Sequence, residues 1–132
     1  NIVAAGPRPD GEPWRIGIRN PRGEGVDDTI GPMLHVVNEA VATSGDYERF
    51  FIHDGKRYHH ILHPGTGMPV ETVSSVTVMA KDSLHADMLS TAVFVLGPDE
   101  GMEFVETLDG VSAMIVDTDG NTLFSKGFPG MD

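Results

Sequence analysis

Apolar and polar positions alternate most clearly in Trp14-Arg15-Ile16-Gly17-Ile18-Arg19, where Trp14, Ile16 and Ile18 share one side. A period of two predicts a strand with one buried face. Asn20-Pro21 closes it, and the acidic, glycine-containing stretch to Gly31 reads as a surface loop. From Met33 to Ser44 the β-branched content predicts one long strand, with a bend or bulge at Asn38-Glu39-Ala40. Phe50-Phe51-Ile52-His53 and Lys56-Arg57-Tyr58-His59-His60-Ile61 flank Asp54-Gly55, the strongest short hairpin signal in the chain. Ser74 to Ala80 is a further strand with Val76, Val78 and Ala80 on one face.

The period then lengthens. Leu84, Met88, Ala92 and Leu96 recur at spacing four, with Leu89 and Val93 beside them. That predicts an apolar stripe on a helix from Leu84 to Leu96, capped by Asp82-Ser83 and stopped by Gly97 and Pro98. Pro98 opens a second helix to about Leu108. Val111 to Val116 is a strand, Asp117-Thr118-Asp119-Gly120 a turn, Asn121 to Lys126 its hairpin partner, and Gly127 to Asp132 a loose tail. Strands outnumber helices and pair through hairpins, so the expected class is α+β: a mostly antiparallel sheet with two packed helices. Asn1-Ile2-Val3-Ala4-Ala5-Gly6 reads as the end of a strand, and Gly6 to Pro13 as a turn-rich connection. The chain is therefore expected to begin inside a domain, with residues 1–132 forming a single partial domain.

Length and composition narrow the partners. The 132 residues can bury a core, and 39% hydrophobic with 22% charged residues is globular composition. Twenty acidic residues against nine basic ones give a formal charge of −11. Such a balance argues against nucleic acid or an anionic membrane surface and suits a divalent cation. The absence of cysteine excludes disulfides, a thiolate nucleophile and sulfur-ligated zinc.

Candidate chemistry gathers in three stretches. Tyr58-His59-His60-Ile61-Leu62-His63-Pro64-Gly65-Thr66-Gly67-Met68-Pro69 begins as a strand and ends as a stiff, glycine-rich loop. If Tyr58 and Leu62 face the interior, His60 stands on their side with its ring oriented by packing, beside backbone able to approach a ligand. The bland alternative is a core histidine running into a turn. In His85-Ala86-Asp87-Met88-Leu89-Ser90-Thr91-Ala92, Asp87 and Thr91 lie four apart on one helical face. A carboxylate and a hydroxyl are hard oxygen donors suited to Mg²⁺; the alternative is a polar helix edge with Thr91 bonding back to a carbonyl. Thr43-Ser44-Gly45-Asp46-Tyr47 either brings donors to a ligand or only ends a strand. Histidines 53, 59, 60 and 63 suggest zinc weakly, because His59 and His60 point oppositely on a strand.

Taken together, these motifs resemble the ApbE family of FAD:protein FMN transferases. The match is carried by Ala42-Thr43-Ser44-Gly45-Asp46-Tyr47, His60-Ile61-Leu62 with Pro64, Thr66-Gly67-Met68-Pro69-Val70, Ser75-Val76-Thr77-Val78, Ala86-Asp87-Met88-Leu89-Ser90-Thr91-Ala92 and Leu96-Gly97. The resemblance implies the later portion of an ApbE-like (T-fold-like) domain. It further implies a Mg²⁺-dependent reaction in which FMN passes from FAD to a threonine hydroxyl of a client protein, releasing AMP. Asp87 and Thr91 match the family's metal pair, and Ser90 falls where some relatives add a ligand. His60 matches the histidine proposed to deprotonate the acceptor, and Ile61 a position touching the flavin nucleotide.

One departure is His63, where the family usually has Asp; another is the family's earlier half, so the isolated chain is expected to be inactive. The rival from a different class is a non-catalytic flavin-nucleotide-binding or interaction module that keeps the fold. The resemblance also implies a cell-envelope or periplasmic lipoprotein, held to the membrane only through a missing N-terminus if at all, with a cytoplasmic location still open.

Overall fold

An antiparallel sheet of five strands carries the fold. The computed structural model describes residues 1–131. In chain order the strands are β1 (Ile2–Ala4), β2 (Trp14–Ile16), β3 (Leu34–Val36), β4 (Glu39–Gly45), β5 (Phe50–His53), β6 (Lys56–His59) and β7 (Val73–Ala80). Helices α1 (Ser83–Leu96) and α2 (Pro98–Glu106) follow, then β8 (Ser112–Asp117) and β9 (Thr122–Phe124). The main sheet runs β1-β4-β7-β8-β9, and β2-β3 and β5-β6 form separate two-stranded ribbons. All neighbouring strands are antiparallel. The class is α+β, as the alternation of periods implies. No helix among the described residues is long and apolar enough to cross a membrane.

Both faces of the sheet are covered, which is why all eight residues of β7 are buried. On one face Val76, Val78, Ala113 and Ile115 pack with Val93, Phe94 and Val105 of the helices. On the other, Met79, Met114 and Val116 meet Ile18, Leu34, Val36 and Phe128. Helix α1 comes close to the sheet because the facing side chains are small: Ala40 and Ala42 of β4 and Ala80 of β7 cluster with Ala86. Helix α2 in turn lies tight on α1 at Gly101, where a Cβ would stand 2.9 Å from the Val93 carbonyl oxygen.

Three features differ from the periodicity. The bend expected at Asn38-Glu39-Ala40 falls at Asn38, whose φ of 56° turns the chain so sharply that the strand from Met33 to Ser44 is divided between two sheets. The Asn38 side chain fixes this corner by accepting a hydrogen bond from the Gly6 N–H at 2.8 Å. The stripe Leu84, Met88, Leu96 is 66%, 62% and 40% exposed, and α1 instead buries Ala86, Ser90, Val93 and Phe94. The tail is anchored, because Phe128 is fully buried against Phe124, ring centroids 5.4 Å apart. The Asp54-Gly55 turn conforms: both residues have positive φ, as a two-residue hairpin of this hand requires.

Two predictions follow from these packing and capping contacts. Phe128→Ala should lower unfolding free energy by about 3–5 kcal/mol, read from denaturant midpoints at constant slope. At the start of α1, Asp82 accepts bonds from the His85 backbone N–H at 3.0 Å and from its ring at 2.7 Å. The backbone N–H chiefly, and the ring next, hold the Asp82 carboxyl below its ordinary value of 3.8. A depressed folded value means the stabilisation is complete above pH 3.8 and is lost as pH falls through the folded value. Asp82→Ala should therefore lower Tm at neutral pH, and the gap from the unaltered chain should close on acidification below that range.

Candidate functional site

The polar continuation of the alanine contact builds the site. Ser44 follows Ala40 and Ala42 on one face of β4, and Ser90 follows Ala86 one turn along α1. Their hydroxyls meet at 2.8 Å, and Ser44 Oγ also stands 3.0 Å from Thr91 Oγ1. Ser90 donates to the Asp87 carbonyl at 2.9 Å; Thr91 reaches the same carbonyl at 3.5 Å. Buried on one side and wet on the other, this network sets Thr91 beside Asp87 at the helix surface. Both side chains line an open groove of about 790 Å³, together with Met88, Ala92 and Phe104 from the helices and Leu62 and Pro64 from the loop.

The donor set suits a hard cation that carries other ligands with it. Asp87 and Thr91 offer one carboxylate and one hydroxyl, both exposed and on one helical face. Mg²⁺ is commonly held by one or two carboxylates, with waters and phosphate oxygens completing its shell. Among the described residues no three His, Asp or Glu side chains converge on a common point, so a cation here would take most ligands from elsewhere.

The histidines divide differently from the alternation argument. His59 and Ile61 face the interior, at 7% and 5% exposure, while His60 and Leu62 face solvent. The reason is Phe94 of α1, whose ring meets the His59 ring edge-on at 5.6 Å. His59 donates from Nε2 to the Val70 carbonyl at 2.7 Å and accepts the Ile61 N–H at Nδ1 at 3.2 Å. Both its nitrogens are engaged within the chain, so it organises the loop. His60 makes one long contact, Nδ1 to the Arg49 carbonyl at 3.4 Å. That contact engages Nδ1, so Nε2 is the ring nitrogen it leaves free. His60 is not among the residues lining the groove of Asp87 and Thr91; Leu62 and Pro64, farther along the same loop, are. Ile61 belongs to the core beneath, and its backbone pairs with Val70.

His63 holds its own loop. Its Nδ1 accepts the Gly65 N–H at 3.1 Å, and its backbone N–H and carbonyl pair with Met68 and Gly67 at 2.8 Å each.

Two residues come from the 43–47 stretch, whose sequence leaves donors to a ligand and a strand-ending turn both open. Ser44 meets Ser90 and Thr91, and the stripe Ala40, Ala42, Ser44 matches Ala86, Ser90 in size. Asp46, 3% exposed, receives bonds from both Arg22 terminal nitrogens at 2.6 Å each, and Arg22 also reaches Ser74 Oγ at 3.1 Å. That pair ties the acidic loop to the end of β4; its bond to Asp46 raises the Arg22 guanidinium above its already high value. Burial, with the Glu48 charge second, pushes the neighbouring Tyr47 phenol up, so it stays protonated.

The ApbE family profile matches residues 1–115. The chain belongs to the ApbE family. It is 43% identical over 115 residues to the FAD:protein FMN transferase of Treponema pallidum, covering 86% of this chain and 31% of that protein. Among solved structures, the ApbE protein of Thermotoga maritima superposes with a TM-score of 0.79 at 45% identity, over 92% of this chain and 38% of that one. The flavinyl transferase ApbE of Pseudomonas stutzeri gives 0.72 at 40% identity, with the same coverage. This ApbE-family chain thus spans about a third of the length of the curated relatives it matches.

Proposed function

We propose that the protein carrying this chain is a Mg²⁺-dependent FAD:protein FMN transferase, of which these residues are the later portion. The observation that carries the reading is the pairing of Asp87 and Thr91 at one open groove on a family-matched scaffold. The acceptor threonine oxygen bonds to the FMN phosphorus as the bond from that phosphorus to the AMP oxygen breaks, and AMP leaves with the electron pair. When bound, Mg²⁺ supplies positive charge against the pyrophosphate oxygens as that bond lengthens. Asp87 and Thr91 would hold the ion by their side-chain oxygens. His60 takes the threonine proton at Nε2, the nitrogen its contact with Arg49 leaves free. Leu62, Pro64 and Met88 give the groove apolar walls that exclude water from part of it.

A second reading, a flavin-nucleotide-binding module without catalysis, is favoured by the position of His60 outside the residues that line the groove. One assay separates them. The complete protein is mixed with FAD, Mg²⁺ and a protein bearing an acceptor threonine, and flavin fluorescence is read on the denatured client. Transfer is expected, and His60→Ala should slow it by roughly 10²–10⁴-fold while FAD affinity stays near its starting value. A near-normal rate in that variant makes His60 a bystander. Lost FAD affinity with unchanged turnover makes it a binding group, and no transfer by the unaltered protein supports the module.

A further inference from the structure

Resting on that metal reading, we propose that Ser44 is the positioning residue that aims the Thr91 hydroxyl at the cation. Thr91 Oγ1 has one proton and two lone pairs. A cation takes a lone pair and turns the proton away from itself, so the proton needs an acceptor on the far side. Two are within reach: Ser44 Oγ at 3.0 Å and the Asp87 carbonyl at 3.5 Å. The carbonyl is the poorer one, being farther off and already taking the Ser90 hydroxyl at 2.9 Å.

With Ser44 as acceptor, every hydroxyl proton has a short destination. Thr91 donates to Ser44, Ser44 to Ser90 across 2.8 Å, and Ser90 to the Asp87 carbonyl. The chain ends on the residue whose carboxylate would hold the same ion. In the opposite sense Ser44 donates to Thr91, leaving one lone pair for the cation but giving the Thr91 proton only the 3.5 Å contact. A cation at Asp87 and Thr91 therefore selects the first sense, and the half-buried Ser44 makes it available.

Packing alone does not ask for a hydroxyl at this position. Ala40 and Ala42 precede Ser44 on the same face of β4 and seat α1 through methyl groups. A third alanine would extend that stripe; serine departs from it where the helix presents Ser90 and Thr91. Nor does Ser44 line the groove, so it acts on the ion through Thr91.

The test is Mn²⁺ affinity, followed by water-proton relaxation on the complete protein, in Ser44→Thr and Ser44→Val. The two side chains share a shape and differ by a hydroxyl. Ser44→Val should weaken Mn²⁺ binding by about tenfold or more, as losing an outer-shell partner does, and Ser44→Thr should stay near the unaltered protein. Equal loss in both, or loss in neither, overturns the proposal. Ser44→Ala gives a second route with the smallest disturbance: its FMN transfer should recover when Mg²⁺ is raised, and a rate that no Mg²⁺ concentration restores counts against a positioning role. Asp87→Ala separates the two levels of the argument. If it leaves Mn²⁺ affinity unchanged, the metal reading itself fails; if it abolishes binding while Ser44→Val does not, only the assignment of Ser44 fails.

Discussion

The close seat of α1 on β4 governs the rest of the structure. Ala40, Ala42 and Ala80 face Ala86 with nothing larger than a methyl between backbones. That proximity lets short hydroxyl side chains bridge strand and helix at Ser44, Ser90 and Thr91. Larger residues in the alanine layer would lift the helix and open every one of these contacts, since interiors pack too tightly to absorb added volume. The site is thus the polar end of a packing interface, and its geometry is inherited from the core.

The outward face of α1 has a different character. Asp87 and Thr91 stand there among exposed Leu84, Met88 and Leu96, so their oxygen donors lie within a largely apolar surround. Apolar walls lower the local dielectric once a ligand covers them, which strengthens the attraction between a carboxylate and a cation. The loop on the other wall is held by His59, whose two bonds and edge-on contact with Phe94 connect it to the same helix. Asp87, Thr91 and the loop therefore share one support, and a shift of α1 would move all of them.

Local signals in the sequence were good guides to local structure. The Asp54-Gly55 turn, the Asp82 cap, the Gly97-Pro98 stop and the split into sheet and helices all depend on short-range chemistry that a few residues state. Which face is buried depends on distant partners. Helix α1 has apolar residues at nearly every angle, so the spacing of Leu84, Met88, Ala92 and Leu96 could not reveal that Ala86, Ser90, Val93 and Phe94 meet the sheet. The same holds for Tyr58 to Leu62: a period of two defines two faces without choosing between them, and Phe94 makes the choice in favour of His59 and Ile61. Phe128 lay in a stretch with no periodic pattern, and only the core it enters explains its burial. Asp87 and Thr91 were legible as a pair because i and i+4 share a helical face whatever the helix packs against. Ser44 was not, because its role needs β4 and α1 to be adjacent.

The central claim, that the α1 surface at Asp87 and Thr91 holds a divalent cation, is tested most directly by anomalous diffraction from crystals of the complete protein grown with Mn²⁺ and FAD. The account predicts a manganese peak bonded to an Asp87 carboxylate oxygen and to Thr91 Oγ1, with phosphate oxygens of the nucleotide among its other ligands. A peak ligated by other residues, or none near α1 while FAD is bound, would contradict it.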